Sequence, residues 1–308
     1  MDSLSRQKII NISMDIEDVY GNQELLNDLL IDFIEFFCEN HIPCDLYISG
    51  IKFDLLVQYP QILEKLCSSY IKCGFHSNTH SFMPISCFAG EKEIAFSEEH
   101  YFDIKKAEFD NEKTDGIMLF EKHFKSQMFR CPGLCWTPDY FSYISHKGYN
   151  YTTIDILYCE PFEFMGITIV PANEKPLEAY NSFEELEKDI EDYDVVSLYL
   201  HPSRLLYDAF WDKRATRNIY ENATEKTDAL KSILLNLKSG YKLISVSEIN
   251  KYYQTTEDVV PFLDELLISS MTSKWTWSQL PKNFYSEYHI SKLKENLCSL
   301  KGMRAICE

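Results

Sequence analysis

The sequence predicts a mixed α/β fold whose strands run parallel to one another. Short apolar strands alternate with amphipathic helices in the order β-α-β-α-β along the first 75 residues. Consecutive parallel strands require crossover connections of this kind, and such crossovers are right-handed. Several predicted strands also end in an acid, an arginine or a histidine. Catalytic groups have this placement at the carboxyl edge of parallel sheets.

The first predicted strand, residues 8–15, has the composition of a buried strand and then runs into acidic residues. Asp15 and Glu17 share one face if the strand continues, whereas Asp18 joins them if the chain turns. An alternative reading is that these acids stabilise the N-terminus of the following helix. The pattern by itself leaves both readings open.

The next elements repeat the plan. We predict a helix over residues 22–40, a strand over 44–49, a helix over 54–70 and a strand over 71–75. This last strand leads to His76 and His80, four residues apart. Two imidazoles at that spacing can turn towards one point, and neutral imidazole is the commonest zinc ligand. A catalytic zinc has three protein ligands, so a carboxylate from elsewhere must complete the set.

Later strands end in further candidate side chains. The predicted elements are a loop over 81–97, a helix over 98–125, strands at 128–133, 149–154, 166–170, 194–200 and 241–245, and helices over 140–147, 182–192 and 224–238. Arg130, Asp155 and His201 stand at ends of these strands. An arginine there can orient a carboxylate, and a histidine there is placed as a general acid or base would be. A surface arginine and a core histidine are the alternatives.

Composition excludes some classes of partner. The formal net charge of −18 argues against binding to nucleic acid or to an anionic membrane surface. No apolar run approaches the roughly 20 residues that cross a bilayer, and no leader precedes Ile9, so we expect a cytoplasmic protein. The pattern changes near the end of the chain. We therefore predict one main domain over residues 1–252 and a helical extension over 253–308 that packs on it.

The ordered motifs resemble those of the polysaccharide deacetylases, the NodB-homology group of carbohydrate esterases similar to family 4, over residues 8–252. The matches are the acidic strand end Ser13–Asp18, His76-Ser77-Asn78-Thr79-His80 for His-Ser/Thr-x-x-His, Arg130-Cys131-Pro132 for Arg-x-Pro, Asp155 as candidate for the fourth motif, and Leu200-His201 for Leu-His. The resemblance implies a distorted (β/α)7 TIM-like barrel, with its site at the carboxyl edge of the strands.

The resemblance also implies residue roles. His76, His80 and an acid, Glu17 or Asp18, would hold a divalent metal, zinc in the first place and cobalt or nickel as alternatives. Asp15 would be the general base, held by Arg130. His201 would protonate the leaving amine, oriented by Asp155, and a backbone N–H near Gly133 would stabilise the oxyanion. The implied reaction removes an N-acyl group, in the first place N-acetyl, from an amino sugar of a polysaccharide or glycan precursor.

The chain departs from the family pattern at three positions. Ile16 separates Asp15 from the next acid, where the family usually has two adjacent aspartates. Gly133 replaces a common aromatic residue, and no tryptophan stands near Asp155. Two rival functions therefore remain: a catalytically altered pseudoenzyme that binds a glycan, and a deformylase or other amide hydrolase on the same fold.

Overall fold

The computed structural model describes residues 7–19, 21–77, 102–103, 108–109, 115–130, 145, 147–154, 160–164, 166–173, 175–208 and 218–255. The predicted extension over 253–308 lies outside these ranges except for its first three residues, 253–255. Its helices and its packing on the main domain therefore stay predictions.

Strands and helices alternate along the described chain. The strands are β1 (Ile9–Ile16), β2 (Cys44–Ile48), β3 (Ile71–Phe75), β4 (Phe102–Asp103), β5 (Glu108–Phe109), β6 (Met128–Phe129), β7 (Tyr151–Ile154), β8 (Phe162–Phe164), β9 (Ile167–Pro171), β10 (Val195–Leu200) and β11 (Lys242–Ile244). The helices are α1 (Gln23–Glu39), α2 (Gly50–Leu56), α3 (Pro60–Leu66), α4 (Asp115–His123), α5 (Phe183–Asp189), α6 (Ser203–Leu206) and α7 (Ala223–Gly240). Two 3₁₀ segments, Leu177–Ala179 and Val246–Lys251, complete the set.

One sheet carries most of these strands. Its order is β10-β1-β2-β3-β6-β7-β9-β8, and β11 pairs with β1. All its neighbouring strands are parallel except β8, which runs antiparallel to β9. The predicted α/β fold with a parallel sheet is confirmed. The predicted barrel is not confirmed, because the sheet is not closed among the described residues. Beyond the end of β9, a single isolated parallel bridge joins Ala172 to Ser197 of β10.

The two faces of β1 have different chemistry. Ile10, Ile12 and Met14 are fully buried in the main apolar core, where the helices pack on the sheet. Asn11, Ser13 and Asp15 alternate with them and are also buried. Alternate residues of a strand point to opposite faces. We call the side of the sheet that carries Asn11, Ser13 and Asp15 its polar face, and the candidate site is built on it.

Two predicted helices differ in the structure. The helix expected over residues 54–70 is instead α2 and α3, with Pro60 as the first residue of α3. Proline has no N–H to donate and disfavours a helical conformation at the preceding residue, so it begins a helix more readily than it continues one. Where a helix was expected over 98–125, the described residues form the antiparallel pair β4 and β5 and then α4.

Among the described residues, no helix combines the length and apolar character needed to cross a membrane.

Candidate active site

Side chains from four strand ends meet at the carboxyl edge of the sheet. Asp15 and Glu17 come from the end of β1, and His76, Arg130 and His201 directly follow β3, β6 and β10. Parallel strands bring these ends to one edge, although 59 residues separate Glu17 from His76. All five side chains are buried or nearly so, and the most accessible of them, His201, is 12 % exposed. The structure thus brings together five of the residues that the sequence singled out.

The remaining predicted residues divide into two groups. His80, Gly133 and Asp155 lie outside the described residues, so their roles stay predictions. Asp18 is described and is only 5 % exposed. However, the ligand atoms that lie within 4.8 Å of one another in the described chain belong to Asp15, Glu17 and His76. The spacing of the motif left Glu17 and Asp18 as alternatives, and this geometry favours Glu17.

Arg130 organises the base of the site. Its guanidinium is completely buried and donates from Nη1 to Asp15 Oδ1 at 2.5 Å. It also donates from Nε to Thr153 Oγ1 at 2.7 Å and from Nη2 to Ser13 Oγ at 2.8 Å. A buried charge of this kind is tolerated only when a partner charge and hydrogen bonds compensate its desolvation. Arg130 therefore fixes the position of the Asp15 carboxylate.

An aromatic ring supports the guanidinium from the side. The Arg130 Cζ atom lies 4.1 Å from the centroid of the Tyr47 ring, within the range of a cation–π contact. Gly74 faces the same ring from the adjacent position on β3. A Cβ atom at Gly74 would lie 2.8 Å from two ring atoms of Tyr47, so only glycine fits there without displacing the ring. Gly74 thus leaves room for the Tyr47–Arg130 contact.

His76 is oriented as a metal-ligating histidine would be. Its Nδ1 lies 2.9 Å from the carbonyl oxygen of Arg130, which can only accept, so Nδ1 carries a proton. Its Nε2 faces two carboxylates, Glu17 Oε2 at 3.1 Å and Asp15 Oδ2 at 4.0 Å. An unprotonated nitrogen would be repelled by two ionised carboxylates, so the repulsion between these groups must be offset. A second proton or a metal cation satisfies this requirement, and a carbonyl bonded to the other nitrogen is the usual support of a ligating imidazole.

The chain turns sharply directly after His76. Ser77 has a φ of +60°, a left-handed conformation that is unfavourable for a residue with a Cβ atom. Two backbone hydrogen bonds hold the turn: the His76 N–H donates to Ile48 and the Gly50 N–H donates to Ser77, at 3.0 and 2.9 Å. Strained backbone of this kind concentrates at functional sites. Here it sets the direction in which the chain leaves His76.

His201 stands on the other side of Asp15. Its Nε2 lies 3.8 Å from Asp15 Oδ2, and its Nδ1 lies 2.9 Å from Glu178 Oε1. Burial acts to lower the pKa of His201, but the negative charge and hydrogen bond of Glu178, with smaller contributions from Glu17 and Asp15, outweigh it and raise the pKa to about 9. His201 is therefore a charged imidazolium at neutral pH, with Nε2–H directed into the site.

Glu178, which contacts His201, is a described site residue that the sequence did not reveal. It belongs to the 3₁₀ segment Leu177–Ala179 rather than to a strand end, and no fixed spacing links it to His201. The sequence instead offered Asp155 for this role, from a strand end. A charged residue in a short polar segment can simply be exposed to solvent at the surface. Only the folded structure therefore distinguishes Glu178 from its acidic neighbours.

Comparisons with known proteins give a fold but no family. No family model matches the chain, and no curated protein matches it. Among solved structures, a 4-α-glucanotransferase from Thermococcus litoralis matches at a TM-score of 0.54 and 14 % identity, covering 82 % of this chain and 41 % of that one. A candidate polysaccharide deacetylase from Mycobacterium smegmatis matches at 0.53 and 10 % identity, covering 83 % and 96 %. A pseudoenzyme of carbohydrate esterase family 4 from Bacillus anthracis matches at 0.46 and 11 %, covering 79 % and 65 %.

At these identities the first two matches show a shared fold. The chain spans less than half of the glucanotransferase but nearly the whole length of the Mycobacterium protein. Proteins of one fold carry different activities, so the function must be argued from the site itself.

Proposed function

We propose that this chain is a metal-dependent hydrolase that removes an N-acyl group, in the first place N-acetyl, from an amino sugar of a polysaccharide or glycan precursor. The observation that carries the proposal is the environment of Asp15. One of its oxygens is bound by Arg130, and the other lies between the Nε2 atoms of His76 and His201. A carboxylate with a fixed cation behind it and two imidazoles in front is suited to acid–base hydrolysis.

The residues present fit a divalent metal. Glu17 and His76 supply an oxygen and a nitrogen donor at close range, and His80 would supply the third ligand. The surroundings of His76 Nε2 support this assignment, because a metal cation there would offset the repulsion between that nitrogen and the two acids. Zinc suits these donors, with cobalt or nickel as alternatives. Such a metal would polarise the acyl carbonyl and lower the pKa of the attacking water.

The protein groups would handle the protons. Asp15 takes a proton from the attacking water as the new C–O bond forms. His201 gives its Nε2 proton to the amine nitrogen as the C–N bond breaks, so that acetate and a free amino sugar are released. Glu178 orients His201 during this step, and Asp155 stays a candidate for the same role. A backbone N–H near Gly133 would stabilise the oxyanion of the reacting acyl group.

Finer parts of the proposal rest on the resemblance of the motifs. They are the N-acetyl group, the sugar substrate and a distorted seven-stranded barrel. The hydrolase class depends on none of these, because the acids, imidazoles and arginine around Asp15 support it. A sugar deformylase would use the same residues and differ only in the acyl group that it accepts.

The proposal is tested by measuring release of acetate and formate from N-acylated amino-sugar oligomers. The purified chain is stripped with a chelator and then reloaded with zinc, cobalt or nickel. We expect little activity after stripping and recovery with at least one of these metals. A reloaded chain that binds the oligomers but releases neither acid would support the pseudoenzyme instead.

A further inference from the structure

The polar face of the sheet continues away from the candidate site, beyond Asp15 and Arg130. Ser197 Oγ lies 3.5 Å from Arg130 Nη2 and donates to Asn11 Oδ1 at 2.7 Å. Asn11 Nδ2 then donates to Asp45 Oδ2 at 2.7 Å. Asp45 also accepts the backbone N–H of Val246 at 2.8 Å. A chain of buried polar groups therefore joins Arg130 to a second carboxylate on β2.

In this series of hydrogen bonds, from Arg130 to Asp45, each bond is donated by the group nearer to Arg130. Asn11 Nδ2 faces two acceptors, Asp45 Oδ2 and the carbonyl oxygen of Ile244 at 3.2 Å. A flipped amide would place its oxygen against both of them, so Oδ1 must face Ser197. The single hydroxyl hydrogen of Ser197 is used on that Oδ1. Ser197 can therefore only accept from Arg130, which itself has only donors.

The remaining contacts of Arg130 follow the same rule. Ser13 uses its hydroxyl hydrogen on the carbonyl oxygen of Leu198 at 3.0 Å, so it too presents a lone pair to Nη2. Strand pairing keeps these groups aligned, since Asn11 is opposite Ser197 and Ser13 is opposite Asp45. The two hydroxyls thus hold Nη2 while Asp15 accepts from Nη1.

We propose that Asn11 and Ser197 are positioning residues for the reaction at Asp15. They hold the Arg130 guanidinium in one orientation, with Asp45 as the fixed acceptor at the end of the chain, and Arg130 in turn holds the Asp15 carboxylate. This inference rests on the proposed function, because it assumes that Asp15 acts as the base. Both residues act through Arg130.

Apolar packing alone does not explain this series of buried hydrogen bonds. The opposite face of β1 fills its interior with Ile10, Ile12 and Met14, and apolar side chains on both faces would bury more apolar surface. A buried polar side chain that is fully hydrogen-bonded specifies one arrangement, whereas an unsatisfied one is unfavourable. Asn11 makes three hydrogen bonds and leaves no heavy polar atom of its side chain unused.

The test compares Ser197→Ala with Ser197→Thr, which keeps the hydroxyl, and with the matched control Thr227→Ala. Thr227 is a buried hydroxyl on α7 that bonds only its own helix at Ala223. Asn11→Ala is a second variant, used if it folds. Two quantities are measured: kcat and KM for acyl release, and the rotation rate of the Arg130 guanidinium by ¹⁵N-arginine NMR, with its signal assigned through Arg130→Lys.

We expect Ser197→Ala to lower kcat by about 3- to 10-fold at unchanged KM and to speed guanidinium rotation by a similar factor, as loss of one long hydrogen bond to a charged group predicts. Ser197→Thr should restore both, and Thr227→Ala should change neither. Unchanged rotation in Ser197→Ala would overturn the inference, as would faster rotation with wild-type kcat. If the wild-type chain releases no acid at all, the proposed function fails, while the rotation rate still decides whether Ser197 holds Arg130.

Discussion

Glu178 holds His201 at two points. Its Oε1 lies 2.9 Å from the ring Nδ1, and its Oε2 accepts the backbone N–H of His201 at 3.2 Å. Ring and backbone are fixed by one carboxylate, so the imidazole can neither rotate nor withdraw without breaking a charge-assisted hydrogen bond. This contact joins the 3₁₀ segment after β9 to the end of β10.

Glu178→Gln should lower the pKa of His201 from about 9 towards its ordinary value near 6.5, because the negative charge that opposes desolvation is lost. The raised pKa contributes stability that is fully present below pH 6.5 and is lost as the pH rises through 9. The variant should therefore be destabilised at pH 7 more than at pH 10. NMR titration of the metal-free chain measures the pKa, with Glu184→Gln, a change at an exposed acid of α5, as control. An unmoved His201 titration would contradict the assignment.

Asp15→Asn and His201→Ala should each lower kcat by about 10²–10⁴-fold, the usual contribution of a general base or acid. Both groups act on protons in the reaction, whereas neither is needed for the substrate to bind. Turnover of a verified substrate is measured together with circular dichroism, which shows whether the fold is kept. Wild-type turnover in either folded variant would remove that residue from the mechanism.

Glu17→Gln should weaken zinc binding by at least about 10-fold, whereas Asp18→Asn should weaken it much less. The reason is that Glu17 Oε2 lies 3.1 Å from His76 Nε2, inside the group of candidate ligand atoms. Loss of a ligand or its support typically lowers metal affinity by about 10- to 100-fold. Competition with a chelating dye measures the affinity of both variants. The opposite ranking would make Asp18 the ligand and give Glu17 a different role.

Asp45→Asn should change how stability depends on pH. Burial raises the pKa of Asp45 from 3.8 to about 6, although hydrogen bonds from Ser245, Val246 and Asn11 act to lower it. An acid with a raised pKa loses stability as the pH rises from about 4 to about 6, by about 3 kcal/mol here. The unfolding free energy of the variant, relative to that of the wild type, should therefore increase as the pH rises over that range. Urea unfolding at pH 4, 5, 6 and 7 measures it; a flat difference would show that Asp45 does not titrate there.

Gly74→Ala should destabilise the fold by about 1–3 kcal/mol, the usual effect of overpacking, because its methyl group would strike the Tyr47 ring. Displacing that ring also removes the support of Arg130, so kcat should fall as well. Thermal unfolding and turnover are measured beside Gly240→Ala, where a Cβ atom would meet nothing within 4 Å. If Gly74→Ala behaves like Gly240→Ala, the Tyr47 ring does not need the space.

The parts of the site that the sequence predicted are those fixed by strand topology. Asp15, His76, Arg130 and His201 each stand where a buried strand ends, and a parallel sheet must bring such ends together. Pro60 gave a local signal for a helix boundary that the apolar periodicity obscured. Glu178 gave none, because its place depends on how a short 3₁₀ segment packs beside β10. Local pattern predicts elements and their edges, whereas contacts between irregular segments depend on the whole fold.

The polar face of β1 was also visible in the sequence, although the strand was interpreted only as a buried one. Asn11 and Ser13 alternate with isoleucines, which in a strand buried on both sides means one polar and one apolar face. The pattern did not reveal the partners of these residues, since Ser197 and Asp45 come from distant parts of the chain. Their positions opposite Asn11 and Ser13 depend on the register of β1 with β10 and β2.

The division of β1 into two faces has a practical consequence for anyone who wishes to make the protein more robust. Changes to Ile10, Ile12, Met14 and the helices that cover them can be screened for heat resistance with little risk to turnover, because the described groups of the proposed reaction do not come from that side of β1. Changes to Asn11, Ser13 or Asp15 alter both properties together. A laboratory selection for thermal tolerance should accordingly accumulate substitutions on the helix-covered side and leave the other side untouched.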